Sequence, residues 1–201
     1  MIAGCVVAGR VAARAAAEPD RVALSVEGGD DLTYGAWDER SNAVARGLAA
    51  RGVRRGDGVC LVFDAARWAA FASAHLGVLK AGGVAVLLSP GAPAPDLART
   101  VAHSAAVGVV CPPHLAPRSL PVWVADADEV AAGHDTSALG DPVEWPAPAE
   151  VVYPPTPLGA PRPVVPADGD VRGAVGDRLD GWLVHAWAPG TLAGRHAVRL
   201  V

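Results

Sequence analysis

Helical and strand-like segments alternate along the first half of the chain, and this alternation most constrains its fold. Apolar residues recur at helical spacing over 35–51, 65–81 and 94–105. Short, continuously apolar runs lie between and after them, at 59–63, 84–88 and 107–111. Strands that are apolar on both faces are typical of parallel sheets covered by helices. The sequence therefore predicts an α/β fold with a layered, mostly parallel sheet and flanking helices.

The N-terminal region predicts an additional helix and a hairpin. Alanine and arginine dominate residues 6–17, and Pro19 ends this predicted helix. A strand at 22–26 leads through a turn at 28–31 into a second strand at 32–34. Gly52 is expected to end the helix over 35–51.

Composition limits the classes of function. The chain has 201 residues, of which 51% are apolar, and its net charge is −4. We expect one core, and no nucleic acid as a partner because basic residues do not cluster. No apolar run reaches the roughly 20 residues that span a membrane. Arg10 and Arg14 interrupt the N-terminal apolar stretch, whereas the core of a signal peptide is uninterrupted by charge. A cytoplasmic protein is expected.

Two residue types are scarce enough to restrict the chemistry. Cys60 and Cys111 lie in strand-like runs and are expected to be buried thiols, while Cys5 has no cysteine nearby to complete a metal site. Lys80 is the only lysine, so any step that needs a lysine of this chain must use it.

Several motifs follow one another in a family-specific order and spacing. They are Leu-Thr-Tyr at 32–34, Arg-Gly-Leu-Ala-Ala-Arg-Gly-Val at 46–53, Gly-Asp at 56–57 and Leu-Gly-Val-Leu-Lys-Ala-Gly-Gly at 76–83. Together they resemble the opening of a bacterial adenylation domain of the adenylate-forming superfamily, which includes acyl-CoA ligases and nonribosomal peptide synthetases. The resemblance is close over 10–111 and loose over 149–164. It implies part of the N-terminal subdomain of these enzymes.

The resemblance also divides the chain. We expect a single truncated unit over 1–201, made of a well-matched α/β half at 1–111, a proline-rich divergent connection at 112–148 and a degenerate last part at 149–201. The family's hinge and C-terminal lobe have no counterpart in the sequence.

The segment 150–164 resembles the phosphate-binding loop of the family, which reads roughly Tyr-Thr-Ser-Gly-Thr-Thr-Gly-x-Pro-Lys-Gly. Tyr153, Gly159 and Pro161 match this pattern, Arg162 stands at the family lysine, and Thr156 falls at a family glycine. Arg162 is either a fixed charge that attracts an anion or a surface arginine on a rigid loop.

The remaining positions of this loop have lost the groups that bind phosphate. Hydroxyl positions are occupied by Pro154, Pro155, Pro157 and Leu158, and Pro163 replaces the last glycine. A phosphate cradle needs backbone N–H donors and flexible glycines, whereas proline has no N–H and a fixed φ. We expect no tight ATP binding and no cofactor.

The family reaction joins a carboxylate to the α-phosphate of ATP, and the resemblance implies that its lysine comes from the C-terminal lobe. Lys80 matches a helix-end position without a chemical role instead. Self-sufficient adenylation is therefore not expected. The best candidate for other acid–base chemistry is His185, near the family's acyl pocket, with Asp177 upstream. Trp182 and Trp187 flank it as ligand or interface candidates.

Asp126, Asp128 and Glu129 form an acidic cluster with two interpretations. Carboxylates of this kind bind Mg²⁺ or another hard cation, and they also favour a helix N-terminus. The latter is expected, so no metal site is predicted.

The sequence thus favours a non-catalytic adenylation-like protein that acts by association in a carrier-protein-dependent secondary-metabolite pathway. Its expected partners are a second copy of the chain or a biosynthetic carrier or adenylation protein. Two alternatives stay open. One is a repurposed enzyme or small-ligand binder that uses a pocket near His185 on an acyl or thioester intermediate. The other is half of a split adenylating enzyme that a second chain completes.

Overall fold

Five parallel strands form the main sheet of the described chain. The computed structural model describes residues 3–26, 31–117, 119–140, 150–153 and 161–164. Within these ranges the strand order is β6-β5-β3-β4-β7. The strands are β3 (Gly58–Val62), β4 (Val84–Leu88), β5 (Gly108–Val110), β6 (Trp123–Ala125) and β7 (Glu150–Tyr153). The predicted parallel α/β sheet is confirmed.

Helices connect these strands and a small hairpin precedes them. The hairpin pairs β1 (Val22–Leu24) with β2 (Leu32–Thr33) in antiparallel register. The helices are α1 (Ala3–Ala17), α2 (Tyr34–Ala50), α3 (Trp68–Lys80), α4 (Ala94–Ser104) and α5 (Ala127–Ala131). No helix of the described residues is both long and apolar enough to cross a membrane.

The helices form layers on both faces of the sheet. Side chains of α2, α3 and α5 pack with one face through Val44, Phe71 and Val130. Leu97 and Val101 of α4 pack against the other face. Helix α1 and the hairpin cover the outer side of α2 and α3, where Trp37 and Leu76 are buried. The core therefore lies in three adjoining layers, and the sheet is covered by helices on both faces.

Local capping explains where two helices begin and end. The hydroxyl of Thr33 accepts a hydrogen bond from the backbone N–H of Ala36, which starts α2. Gly52 follows that helix with φ of 86°, as expected for a helix stop. Helix α3 begins at Trp68 rather than at the predicted residue 65. The cause is Asp64, whose carboxylate caps a short 3₁₀ turn at Ala65–Arg67 before α3.

Two small corrections concern strands. The strand predicted over 22–26 is shorter, at Val22–Leu24, and its turn lies mostly outside the described residues. The strand predicted at 107–111 is also shorter, at Gly108–Val110.

Helices α2 and α5 approach so closely that a side chain cannot fit between them. A Cβ at Gly47 would lie 1.7 Å from the carbonyl oxygen of Val130. The helices would have to separate to accept even one methyl group.

We predict that Gly47→Ala lowers the free energy of unfolding by about 2 to 3 kcal/mol, because overpacking outweighs the better helix propensity of alanine. Urea unfolding measures the change. Gly140→Ala is the control, since a Cβ at Gly140 meets no atom within 4 Å. A Gly47→Ala protein as stable as the parent would contradict the close approach.

Candidate functional site

Strand β7 lies at one side of the sheet and leads into the loop that resembles a phosphate cradle. It pairs in parallel with β4 over its whole length, from Ala85 with Glu150 to Leu88 with Tyr153. On its other side Val152 and Val164 exchange two backbone hydrogen bonds of 2.8 Å. Residues 150–153 and 161–164 thus form two antiparallel arms around the loop, which we call the hairpin frame. Its open end lies at the carboxyl edge of the sheet, where α/β proteins bind ligands.

Tyr153 forms the base of the loop and is fixed from helix α4. Its side chain is buried, with a relative exposure of 7%. The phenol oxygen lies 2.9 Å from Nδ1 of His103, and the two rings meet edge to face. Burial raises the pKa of Tyr153 above its ordinary value, so the phenol is neutral at physiological pH.

Glu150 begins the same strand and is held from helix α3. Its Oε2 lies 2.9 Å from Nε2 of His75, and both side chains are largely shielded from solvent. His75 also packs against Phe71 at a ring-centroid distance of 5.7 Å. His75 and His103 thus lie between the helices and the sheet, with hydrogen bonds that periodicity alone does not reveal.

The structure describes only some of the predicted site residues. Arg162 lies on the returning arm of the hairpin frame, and its side chain is exposed. Six candidates fall outside the described residues, so their predicted roles stay predictions: Thr156, Gly159, Asp177, Trp182, His185 and Trp187.

The acidic cluster caps a helix. The carboxylate of Asp126 accepts a hydrogen bond from the backbone N–H of Asp128 and starts α5. Arg67 donates to both Asp126 and Asp128, and Glu129 pairs with Arg51 at 3.1 Å. The prediction of a helix N-terminus is confirmed, and each of these carboxylates already has an arginine partner.

Another polar pair lies at the carboxyl edge of the sheet. Asp64 follows β3, and its Oδ2 lies 2.6 Å from Nε2 of His114, which follows β5. The other oxygen of Asp64 accepts from the backbone N–H of Arg67. The pair joins two loops, and the 50-residue separation hides it from local sequence patterns.

Lys80 occupies a buried polar network at the opposite edge of the sheet. Its ammonium donates to Oδ1 of Asp38 at 2.7 Å, to Oδ1 of Asn42 at 2.7 Å and to the carbonyl of Asp38 at 3.2 Å. Asn42 donates in turn to Oδ2 of Asp38 and to the carbonyl of Thr136. The three donors of the ammonium are thus satisfied. Desolvation lowers the pKa of Lys80, and the hydrogen bond that its ammonium donates to Asp38 opposes this shift.

This network places the only lysine far from the hairpin frame's open end. Lys80 ends α3 and lies four residues before Val84, where β4 begins. The amino end of β4 is opposite the carboxyl edge that bears the loop. The expectation of a helix-end position is confirmed, and the lysine ties α2 to α3.

We predict that Lys80→Met costs about 3 kcal/mol of stability, because it leaves the carboxylate of Asp38 buried without its cation. Chemical denaturation measures the loss. Adding Asp38→Asn to this variant removes the stranded charge, so the double variant should lose less than the sum of the single changes. Additive losses would contradict a coupled pair.

The buried cysteines are as expected. Cys60 and Cys111 are free thiols without solvent exposure. Burial raises the pKa of Cys60 to about 12 and that of Cys111 to about 11. The ordinary pKa of a cysteine thiol is about 8.5. At a pH between this value and the folded pKa values, both thiols are therefore protonated in the folded protein and ionised in the unfolded chain.

We predict that neither thiol reacts with a disulfide reagent at about pH 8 in the folded protein, and that both react in urea. A Cys5→Ser background removes the third thiol. Rapid labelling without denaturant would show that the thiols are accessible.

The raised pKa values of Cys60 and Cys111 also make stability depend on pH. The stability due to these groups is complete below about pH 8.5 and is lost as the pH rises towards the folded values.

Comparison with known proteins agrees with the parallel α/β sheet. The family described as AMP-binding enzyme matches residues 11–170. The chain is 45% identical to the nonribosomal peptide synthetase flvI of Aspergillus flavus over 73 residues, which cover 36% of this chain and 7% of that protein. It is 35% identical to tyrocidine synthase 2 of Brevibacillus parabrevis over 121 residues, which cover 60% of this chain and 3% of that protein. The chain thus spans less than a tenth of these relatives.

Solved structures extend the likeness to three dimensions. The nonribosomal peptide synthetase FmoA3 superposes with a TM-score of 0.70 at 30% identity, covering 84% of this chain and 18% of that one. A fatty acyl CoA synthetase of Mycobacterium tuberculosis superposes with a TM-score of 0.69 at 20% identity, covering 84% of this chain and 36% of that one, which shows a shared fold alone. Since the family match covers most of its 201 residues, the chain belongs to the AMP-binding enzymes, the adenylate-forming superfamily that its motifs resemble.

Proposed function

We propose that this chain is a non-catalytic, adenylation-like protein that acts by association in a carrier-protein-dependent biosynthetic pathway. The observation that carries the proposal is a contrast at one site. The hairpin frame is complete, with β7 paired to β4 and closed by the Val152–Val164 hydrogen bonds. The loop that the frame carries has lost the residues that bind phosphate in the family.

Backbone chemistry supports weak or absent nucleotide binding. Four positions of 153–163 at which the family has an N–H donor are occupied by proline, which has none: Pro154, Pro155, Pro157 and Pro163. Phosphate cradles depend on converging backbone N–H groups. Removing such donors deprives a phosphate of charge-assisted hydrogen bonds, each of which stabilises a complex by roughly 1.5–3 kcal/mol.

The position of Lys80 supports the same proposal. Building charge on a reacting phosphate calls for a nearby cation, and Lys80 is the only lysine of the sequence. Its ammonium makes three hydrogen bonds within the buried network with Asp38 and Asn42. A lysine acting on phosphate would therefore have to come from outside these 201 residues.

The relatives suggest the setting. The curated matches include nonribosomal peptide synthetases and a nonribosomal peptide synthetase-like enzyme. We therefore propose a carrier or adenylation protein of such a system, or a second copy of this chain, as the partner. An FmoA3 structure has AMPPNP bound, which makes this nucleotide a suitable probe for the test.

Restoring the loop tests whether the prolines prevent nucleotide binding. We predict no calorimetric heat when Mg·AMPPNP is titrated into the parent protein. The loop-restored variant carries Pro154→Thr, Pro155→Ser, Thr156→Gly, Pro157→Thr, Leu158→Thr and Pro163→Gly. It should bind measurably, because it regains three backbone donors from the first three prolines, one from the last, and the four hydroxyls of the family pattern.

A matched control keeps the number of changes but not the chemistry. It has alanine at the same six positions, which restores N–H groups without hydroxyls or glycines, and it should bind more weakly than the restored loop. Binding by the parent would overturn the proposal. A folded restored variant that fails to bind would show that the changed loop residues are not the reason why the parent does not bind the nucleotide.

Association is measured separately by light scattering after size exclusion, with and without purified carrier and adenylation proteins of the same pathway. A self-associated parent or a stable mixed complex supports the proposal. A monomer that forms no complex with either protein contradicts it.

A further inference from the structure

Strand β7 has little backbone pairing to hold it in the sheet. It has four residues, and its neighbours among the described residues are β4 on one side and the single Val152–Val164 bridge on the other. Short strands at the margin of a sheet open more readily than central ones. Something besides the backbone ladder must therefore keep this strand, and the loop that follows it, in register.

Two histidines contact this strand at its two ends. His75 of α3 holds Glu150 at the first position through a distance of 2.9 Å between Nε2 and Oε2. His103 of α4 holds Tyr153 at the last position through a distance of 2.9 Å between Nδ1 and the phenol oxygen. We call these two contacts the histidine clamp.

The clamp acts from both faces of the sheet. Glu150 and Tyr153 are three residues apart, so their side chains point to opposite faces of the strand. In agreement, Phe71, which packs on His75, belongs to the core on one face, while Tyr153 belongs to the core on the other face. A rotation of β7 about its own axis, or a slip by one residue, would break both hydrogen bonds at once.

Both contacts lie where hydrogen bonds have a large effect. The side chains of His75 and Glu150 are 12% and 21% exposed, and Tyr153 is buried. In such surroundings water replaces a lost partner poorly, so the remaining polar group carries a desolvation cost. The contacts therefore stabilise one position of the strand against displaced ones.

We propose that His75 and His103 are positioning residues that hold β7 and the hairpin frame against β4, and so fix where the loop begins. The positioning of β7 does not depend on the proposed function. The effect of this positioning on an anion bound by the loop does rest on the proposed function.

Hydrogen exchange of single amides in the intact protein tests the clamp. His103→Ala should raise the exchange rates of Val151, Val152 and Tyr153 about fivefold, the effect of losing one neutral hydrogen bond. His75→Ala should raise them about tenfold, since its partner is a carboxylate. Gly47→Ala, which destabilises the fold away from β7, should leave the rates of Val151, Val152 and Tyr153 unchanged, because a local opening of β7 does not relieve the overpacking between α2 and α5.

Conservative and matched variants separate positioning from a general loss of stability. His103→Gln and His75→Gln retain a donor and an acceptor and should return the rates of β7 to within about twofold of the parent. His134→Ala is the control, because His134 makes no side-chain hydrogen bond within the described part of the chain. Unchanged rates in β7 after both alanine changes would overturn the proposal. So would an equal rise in β7 after Gly47→Ala, because the exchange of β7 would then report global destabilisation alone.

The loop-restored variant supplies a second readout. Adding His103→Ala to it should weaken the binding of Mg·AMPPNP by about fivefold under conditions where the variant stays fully folded. If the restored loop does not bind at all, the proposal that the prolines prevent nucleotide binding is wrong. The exchange measurement still tests the histidine clamp in that case.

Discussion

The pairing of β4 with both of its neighbours is the constraint on which the rest of the structure depends. β4 pairs in parallel register with β3 over its whole length and with β7 from Ala85 to Leu88. Parallel register brings the carboxyl ends of these strands to one edge, and each connection must then return across a face of the sheet. The helices lie on both faces for this reason. The loop after β7 and the polar pair Asp64–His114 consequently share an edge, while Lys80 is brought to the other.

The sequence predicts those features that depend on local pattern. Fully apolar runs identify β3 and β4 almost to the residue, and Gly52 marks the end of α2 because its φ of 86° suits glycine. The start of α3 is missed, since Asp64 caps a preceding turn and propensity does not distinguish a 3₁₀ turn from a first helical turn. The cluster of acidic residues also predicts the helix N-terminus that Asp126 caps.

The polar contacts of the candidate site are less accessible to sequence reasoning. His103 and Tyr153 are 50 residues apart, and His75 and Glu150 are 75 apart. No periodicity joins such residues, because each pair meets only after the sheet has formed and both helices have packed on it. The same holds for Lys80 with Asp38 and Asn42. In the sequence, Lys80 is considered for catalysis because it is the only lysine. In the structure, its hydrogen-bond partners give it a structural role.

The burial of Lys80 also decides which reagents can report on this protein. Its side chain is 6% exposed, and no second lysine occurs in the 201 residues. Amine-directed cross-linkers and biotinylation therefore find no accessible lysine side chain on the folded protein, however closely a partner approaches. A complex that such reagents fail to trap is still compatible with association. Reagents directed at carboxylates or at the exposed guanidinium of Arg162 are better suited to capture it.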